Sequence, residues 1–321
     1  MLRRHGPDSL HRLFDEALPV FALVDPMLGE PIPTEQLAKA TAARQSAWHR
    51  DIVSVSLAPS VDLPAELHPY LVRLHGIDDL WLDDTLEIAR REQAASQRDG
   101  LAGRGHGAHK VGIWLQSELE PERLALALAA GMRLPRSGFS SARYLRLADR
   151  RTLDWLPLVI GEQRFAALLG SVARWVWLDS IGMLAELVQD ESDRALAAGG
   201  ALHMTAPQWS EFSLAADVHA CMARCLGQRR DALGGNAPAS LARVRDAVKH
   251  AWRERAQRPA LLAAADDVIA WAAMTLLYPG FEHRADTADV LARATADPTQ
   301  TFDMLCLELR ADAQPATTTP P

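Results

Sequence analysis

The segment from residue 143 to residue 179 constrains the fold most, because the spacing of its apolar side chains changes three times. Arg143 to Leu147 alternates with period two, which predicts a half-buried strand with its leucines on one face. Asp149 then stands at a helix N-cap position, and a short helix is predicted to end at Pro157.

The second half of this segment predicts another helix and another strand. The helix is expected over Glu162 to Leu169, and the strand over Val172 to Leu178. Trp175 and Trp177 share one face of that strand, and such a pair belongs either to a core or to a partner surface. The whole segment therefore reads as strand, two short helices and strand.

Composition narrows the class of protein. The chain has 321 residues, of which 48% are hydrophobic and 23% charged, as in ordinary soluble proteins. The net charge of −7 argues against nucleic acid as the main partner. Three cysteines cannot form a disulfide framework, no apolar run follows Arg3 and Arg4, and the most apolar stretch, Val268 to Phe281, is too short to cross a bilayer. These features predict a cytoplasmic protein that is not embedded in a membrane.

Periodicity predicts an α+β fold in two lobes. The N-terminal α+β lobe, residues 1–198, is expected to hold a mixed β-sheet covered by helices, the last of them over residues 184–198. An all-helical C-terminal lobe is expected over residues 201–312, and the Thr/Pro-rich tail, residues 313–321, is expected to be disordered. The predicted helices of the second lobe cover residues 206–226, 238–257, 259–277, 287–294 and 299–309.

The 143–179 segment also resembles the signature of the type VI secretion effector-adaptor family, whose members are called effector chaperones or Tap/TEC proteins. The family pattern is an Arg-aromatic strand running into Asp-Pro-Arg, two short helices with a Glu-Gln pair, and Phe-Phe-Gly before another strand. The residues that match it are Tyr144, Arg146, Asp149, Arg151, Glu162, Gln163 and Gly170. Arg150 stands in place of the proline, and Leu168 and Leu169 replace the aromatic pair.

Three other stretches resemble the same family. Residues 20–25 end in Ala-Leu-Val-Asp, residues 67–74 contain Pro-Tyr-Leu-Val, and residues 111–117 contain Gly-Ile-Trp-Leu-Gln-Ser. With residues 143–178, these stretches are called the signature segments below. The resemblance implies a non-catalytic adaptor that binds the N-terminal region of a toxin effector and loads it onto the VgrG spike, with a PAAR tip as a further partner. It implies no cofactor. The residues and the net charge likewise predict no metal, no nucleic acid and no membrane.

The candidate partner-binding residues come from the same segment and are Arg146, Asp149, Arg151, Trp175 and Trp177. The segment contains a run of arginines, namely Arg143, Arg146, Arg150 and Arg151. Arginines in a run of this kind bind an acidic partner segment or a carboxylate. Alternatively, Asp149 caps a helix while the arginines pair with neighbouring acids such as Asp154. If the arginines bind cargo, replacing Arg146 and Arg151 with Glu is expected to abolish cargo capture and leave the fold intact.

Two other functions remain open at this stage. One is an enzyme that uses an inter-lobe cleft and the residues Arg146, Asp149 and Arg151 on an anionic substrate. The other is a helical scaffold, which an exposed apolar groove in the C-terminal lobe would support. Cys221 and Cys225, four residues apart with His219 nearby, lack the spacing of a zinc site and are expected to be buried helix cysteines.

Overall fold

The chain divides into two compact units in the computed structural model. The first unit is Met1–Ala95 with Gly107–Ser213, and the second is Ser96–His106 with Leu214–Pro321. The structure describes residues 2–32, 41–101, 109–135, 141–170, 172–189, 202–229, 233, 237–297 and 299–311. The predicted boundary near residue 200 and the predicted tail, residues 313–321, lie outside these ranges.

The first unit is built on a seven-stranded sheet. Its strands lie in the order β1-β9-β8-β5-β2-β4-β3, while β6 and β7 form a separate two-stranded sheet. The strands are β1 Leu2–His5, β2 Val20–Val24, β3 Ile52–Ser54, β4 Tyr70–Arg73, β5 Ile113–Gln116, β6 Arg133–Pro135, β7 Ala142–Tyr144, β8 Arg174–Leu178 and β9 Leu184–Val188. The predicted α+β class is confirmed.

The prediction of a mixed sheet is wrong, because each pair of neighbouring strands in the described sheet is antiparallel. The connection between β8 and β9 shows why two such strands are antiparallel. β8 and β9 are joined by a short turn in which the Asp179 N–H donates to the Met183 carbonyl at 2.8 Å. A turn of this length can only reverse the chain direction, whereas a parallel neighbour needs a long crossover.

Helices cover both faces of this sheet. The helices of the first unit are α1 Thr41–Trp48, α2 Leu80–Leu101 (which runs on into residues of the second unit), α3 Pro121–Gly131, α4 Arg150–Ile160, α5 Glu162–Leu168 and α6 Ala206–Phe212. Leu82, Leu86 and Ala89 of α2 share one core cluster with alternate residues of β2 and β4. On the opposite face, Phe165 of α5 packs edge-on against Trp177 with ring centroids 6.2 Å apart.

The strand and helix predicted around residue 149 are partly confirmed. β7 ends at Tyr144 because it pairs with β6 outside the main sheet, but Leu145 and Leu147 are buried as the alternation predicts. α4 continues past Pro157 to Ile160, so the predicted end is wrong. A proline inside a helix costs about 3 kcal/mol. Burial of the apolar face of α4, which includes Leu153 and Leu156, offsets that cost.

The helix predicted over residues 184–198 is also wrong in its first part. Residues 184–188 form β9, which pairs with both β1 and β8, and residues 190–198 lie outside the described part of the chain. Leu184, Leu187 and Val188 have helical spacing, yet Ala185 and Glu186 between them are buried as well. Strand pairing on both sides therefore overrides the local pattern.

The second unit is helical in its described residues, apart from short turns and connections. Its helices are α7 Ala215–Gln228, α8 Ala237–Gln257, α9 Ala265–Leu277, α10 Ala285–Ala296 and α11 Phe302–Ala311. The helix predicted to run from residue 206 is two helices, and α6 belongs to the first unit, where the Gln208 amide donates to the Val159 carbonyl. α9 begins at Ala265, later than predicted, because the Asp267 carboxylate accepts the Ala264 N–H. None of the described helices combines the length and the apolar character needed to span a membrane.

Candidate functional site

Two aspartates and two arginines meet where β2 ends and α4 begins. We call Asp25, Arg146, Asp149 and Arg151 the Arg–Asp cluster. Asp25 directly follows β2 and is 0% exposed. The Nε and Nη2 of Arg146 donate to Oδ2 of Asp25 at 2.9 and 2.7 Å, across 121 positions of sequence. A forked, charge-assisted contact of this kind fixes both groups in position.

Asp149 performs the predicted capping role and also binds an arginine. Its Oδ1 accepts the backbone N–H of Arg151 at 3.0 Å, which caps α4. The Arg151 guanidinium donates from Nε to Oδ1 at 3.0 Å and from Nη2 to Oδ2 at 2.7 Å. Nη1 of Arg146 lies 3.8 Å from Oδ2 of the same carboxylate, so Arg146 bridges Asp25 and Asp149.

The charges of the Arg–Asp cluster balance, with two carboxylates against two guanidinium groups. Burial raises the pKa of Asp25, and the charge and hydrogen bonds of Arg146 oppose that rise. Burial also acts to raise the pKa of Asp149, but hydrogen bonds and charge from Arg151 lower it well below its ordinary value. The arginine side chains are only 26% and 18% exposed, so most of their donor capacity faces inward.

Two buried donors beside the cluster make no hydrogen bond within the described structure, the Tyr144 hydroxyl and Nη1 of Arg150. The other nitrogens of the Arg150 guanidinium are used: Nε donates to Nδ1 of His109 at 3.0 Å, and Nη2 donates to the Ala89 carbonyl at 2.9 Å. Burial lowers the pKa of Arg150 to about 10. An unsatisfied buried donor costs about 1–3 kcal/mol, so these two donors lower the stability of the region.

Arg150, which takes the place of the family's proline, therefore has a distinct position. It reaches from the start of α4 to α2 and to the residues just before β5. Nη1 of Arg150 would lie 3.2 Å from a Cβ added at Gly112, and Gly112 has a φ of +115°. The glycine leaves the space that the buried guanidinium occupies.

The predicted site residues divide into two groups. Arg146, Asp149 and Arg151 are brought together, although their role in binding a partner stays a prediction. Trp175 and Trp177 lie in the sheet core at 0% exposure, so the assignment of their side chains to a partner surface is wrong. Both indole N–H groups are used internally, by the Leu169 carbonyl and by Asp154.

Asp25 is the cluster residue that sequence reasoning did not assign to the site. Its local signal, an aspartate before proline at a strand end, predicts a turn cap, and Oδ1 does accept the Met27 N–H at 3.0 Å. Only the resemblance of residues 20–25 to the family marks the same aspartate. No local pattern indicates its pairing with Arg146, since the contact is long-range.

The expected pairing of an arginine with Asp154 is wrong. Asp154 accepts from the Trp177 indole at 2.8 Å and from the N–H and hydroxyl of Ser180. Burial raises the pKa of Asp154. Burial, together with the charge of Asp154, raises the pKa of Asp179 to about 7. The two residues are 6% and 1% exposed, which closes this acid pair to a substrate.

The cluster geometry also corrects the expectation for the double Arg-to-Glu variant. Each new glutamate would stand beside a buried aspartate that has lost its cation. Breaking a buried ion pair costs about 3–5 kcal/mol, and a like charge adds to that cost. The variant would therefore not leave the fold intact, and it cannot separate binding from stability.

Other chemistry-bearing residues do not form a metal site. Within the described residues no group of three or more His, Cys, Asp or Glu side chains has metal-binding geometry. Cys221 and Cys225 are fully buried in α7, as predicted, and His219 is 9% exposed. Comparisons of the chain with protein-family models, with curated proteins and with solved structures found no match.

Proposed function

We propose that this protein is a non-catalytic adaptor that binds the N-terminal region of a type VI toxin effector and loads it onto the VgrG spike. A PAAR tip is the further partner, and the cytoplasm is the proposed site of action. The resemblance of the signature segments is the source of this proposal. The structural observation that best supports the proposal is the position of those segments in the sheet.

The signature segments are far apart in the sequence but adjacent in the fold. They contribute β2, β4, β5 and β8, which are four consecutive strands in the sheet order β8-β5-β2-β4. The pair Asp25–Arg146 then links the first and the last of these segments. The stretches that carry the resemblance therefore form one continuous part of the sheet, and this arrangement supports the family proposal.

In this proposal the Arg–Asp cluster holds the signature segments together. Its carboxylates and guanidinium groups bind one another, which leaves little donor capacity for a substrate. The enzyme alternative requires an accessible acid, base or nucleophile near these arginines. It is tested by offering anionic metabolites to the purified chain and measuring turnover.

The experiment is co-purification from the native host. The tagged full chain is expected to retain a toxin effector of the host together with the spike protein, in stoichiometric amounts. A matched untagged strain controls for non-specific capture. Recovery of neither toxin nor spike, together with turnover of an anionic metabolite, would replace the adaptor with the enzyme.

A further inference from the structure

The second unit contains an open apolar groove of about 630 Å³. It lies between the α8–α9 connection and the C-terminal half of α10. The residues that line it are Gln257, Arg258, Pro259, Ala260, Leu261, Leu291, Ala292, Thr295 and Ala296. Its volume is within the range of about 300–1,000 Å³ that is typical of ligand sites.

The lining suits a helix better than a small polar ligand. Ala292 and Ala296 are exposed and one turn apart on α10, and Ala260 faces the groove from the connection. Small side chains allow the backbone of a second helix to approach closely. The Thr295 hydroxyl already donates to the Leu291 carbonyl at 2.8 Å, so it does not need a polar partner from a ligand.

One wall of the groove is preformed by hydrogen bonds. The Arg258 carbonyl accepts the N–H groups of Leu261 and Leu262 at 3.1 and 3.2 Å. Nη2 of Arg255 donates to the Ala263 carbonyl at 2.7 Å, which anchors the same connection from α8. A wall that is already ordered loses little conformational entropy when a partner binds.

The groove is lined by a basic side chain, Arg258, in a chain whose net charge is −7. Among the described lining residues the one charged side chain is Arg258, which directly follows α8, and Glu254 lies one turn before it. The Arg258 side chain is 48% exposed, and its Nε lies 3.5 Å from Glu254, beyond the distance of a strong ion pair. An acidic flank on the partner would complement this side chain.

We infer that this groove docks an amphipathic α-helix with a small apolar face and acidic residues along its flank, supplied by the cargo. The identity of the cargo rests on the proposed function, whereas the chemistry of the groove does not. The helix lays its apolar stripe over Ala292 and Ala296 and presents an acid to Arg258. This is helix-in-groove recognition, in which the contact with Arg258 fixes the position of the helix along the groove.

The test uses two designed helical peptides that share an alanine- and leucine-bearing apolar face. One has glutamates on its flank and the other has lysines. Fluorescence anisotropy with the full chain is expected to show tighter binding of the acidic peptide, and Arg258→Glu is expected to reverse that preference. Ala292→Glu is expected to weaken binding at least tenfold, and Ala130→Glu, at an exposed helical alanine of α3, is the matched control. Unchanged circular dichroism melting shows that each variant folds.

The outcomes of these experiments distinguish the groove, its occupant and the adaptor function. If neither peptide binds, or if Ala292→Glu and Ala130→Glu behave alike, the groove is not a helix site. If a dimer in light scattering disappears on Ala292→Glu, the occupant is a second copy of the chain and the inference fails. If the peptides bind as expected but no toxin effector of the host is captured, the groove stands and the adaptor function fails. If the toxin binds equally well to Ala292→Glu, the groove is not the cargo site.

Discussion

At the scale of single residues, buried charge organises the first unit. Asp25 is fully buried, and its ion pair with Arg146 joins β2 to the residues before α4. Such a pair contributes little net stability compared with apolar residues, but losing one partner leaves an uncompensated charge in the interior. The local sequence predicts that Asp25 ends a strand and that Asp149 caps a helix, and both roles are observed. The contact between Asp25 and Arg146 has no local pattern, because its partners are 121 residues apart.

Replacing Arg146 with Gln should destabilise the protein by about 3 kcal/mol, because the Asp25 carboxylate loses its charged donor. Arg91→Gln is the matched control, since Arg91 and Glu87 form an exposed pair at 2.8 Å. That control should cost less than about 0.5 kcal/mol. Urea denaturation measures both values. Equal small effects would show that the Asp25–Arg146 pair is not structural.

Adding Asp25→Asn to Arg146→Gln should recover part of the lost stability, because the buried charge is then removed as well. The double variant is expected to be more stable than the sum of the two single changes predicts. Strict additivity in the same urea experiment would contradict a direct ion pair.

Asp179 should make stability depend on pH. Folding raises its pKa from 3.8 to about 7, chiefly through burial, so the folded protein binds this proton more tightly than the unfolded chain. The contribution of Asp179 is therefore fully present below about pH 4 and is lost as the pH rises to about 7. Asp179→Asn, which keeps an oxygen acceptor for the Ile181 and Met183 N–H groups, removes this titration.

The measurement is the free energy of unfolding of wild type and Asp179→Asn at pH 5 and pH 8. The variant is expected to gain stability relative to wild type between these values, by on the order of 2 kcal/mol. Titrating groups that do not interact with Asp179 cancel in the difference, whereas Asp154, whose charge acts on Asp179, contributes to it. A difference that is the same at both pH values would show that Asp179 does not hold a proton in the folded state.

At the scale of elements, the predictions succeeded where one face of an element is buried. β2 coincides with the apolar run Val20–Val24, and the alternating residues Tyr70, Val72 and Leu74 share one core cluster. The predictions failed where contacts with distant parts of the chain determine the secondary structure. β9 has helical spacing but lies between two strands, and α4 passes a proline that local rules treat as its end.

Glycine is required at position 112 both by the backbone conformation and by the close packing around it. It precedes β5 with a φ of +115°, and an added Cβ would lie 2.9 Å from the Cβ of Ala89. Gly76 has a similar φ of +125° but nothing within 4 Å, which makes it a matched control. Gly76→Ala should cost about 1 kcal/mol through backbone strain, and Gly112→Ala a further 1–3 kcal/mol or so through overpacking against α2 and Arg150.

Thermal denaturation of the two alanine variants compares these costs under identical conditions. The Gly112 variant is expected to melt at a distinctly lower temperature than the Gly76 variant. If both melt together, the space beside Gly112 is not limiting, and Arg150 is free to rearrange.

At the scale of the whole molecule, the sequence predicted two parts and the correct α+β class. It did not predict that α6 packs with the first unit, because the bonds that anchor it, such as that from Arg164 to the side-chain oxygen of Gln208, join distant segments. The signature segments, which carry the resemblance, contribute four adjacent strands of the sheet. The groove of the second unit was expected only as a condition of the scaffold alternative. Its side chains and their charges now give it a specific proposed occupant.

The most direct measurement of the central proposal is transfer of cargo in a reconstituted system. The purified chain is combined with a toxin effector that co-purifies with it, and the assembled VgrG spike with its PAAR tip is then added. The complexes are followed by size-exclusion chromatography with light scattering and mass spectrometry. The account predicts a stable chain–toxin complex, movement of the toxin to the spike, and no change in the covalent mass of any component. A chain that binds neither protein, or that alters the covalent mass of one of them, would contradict it.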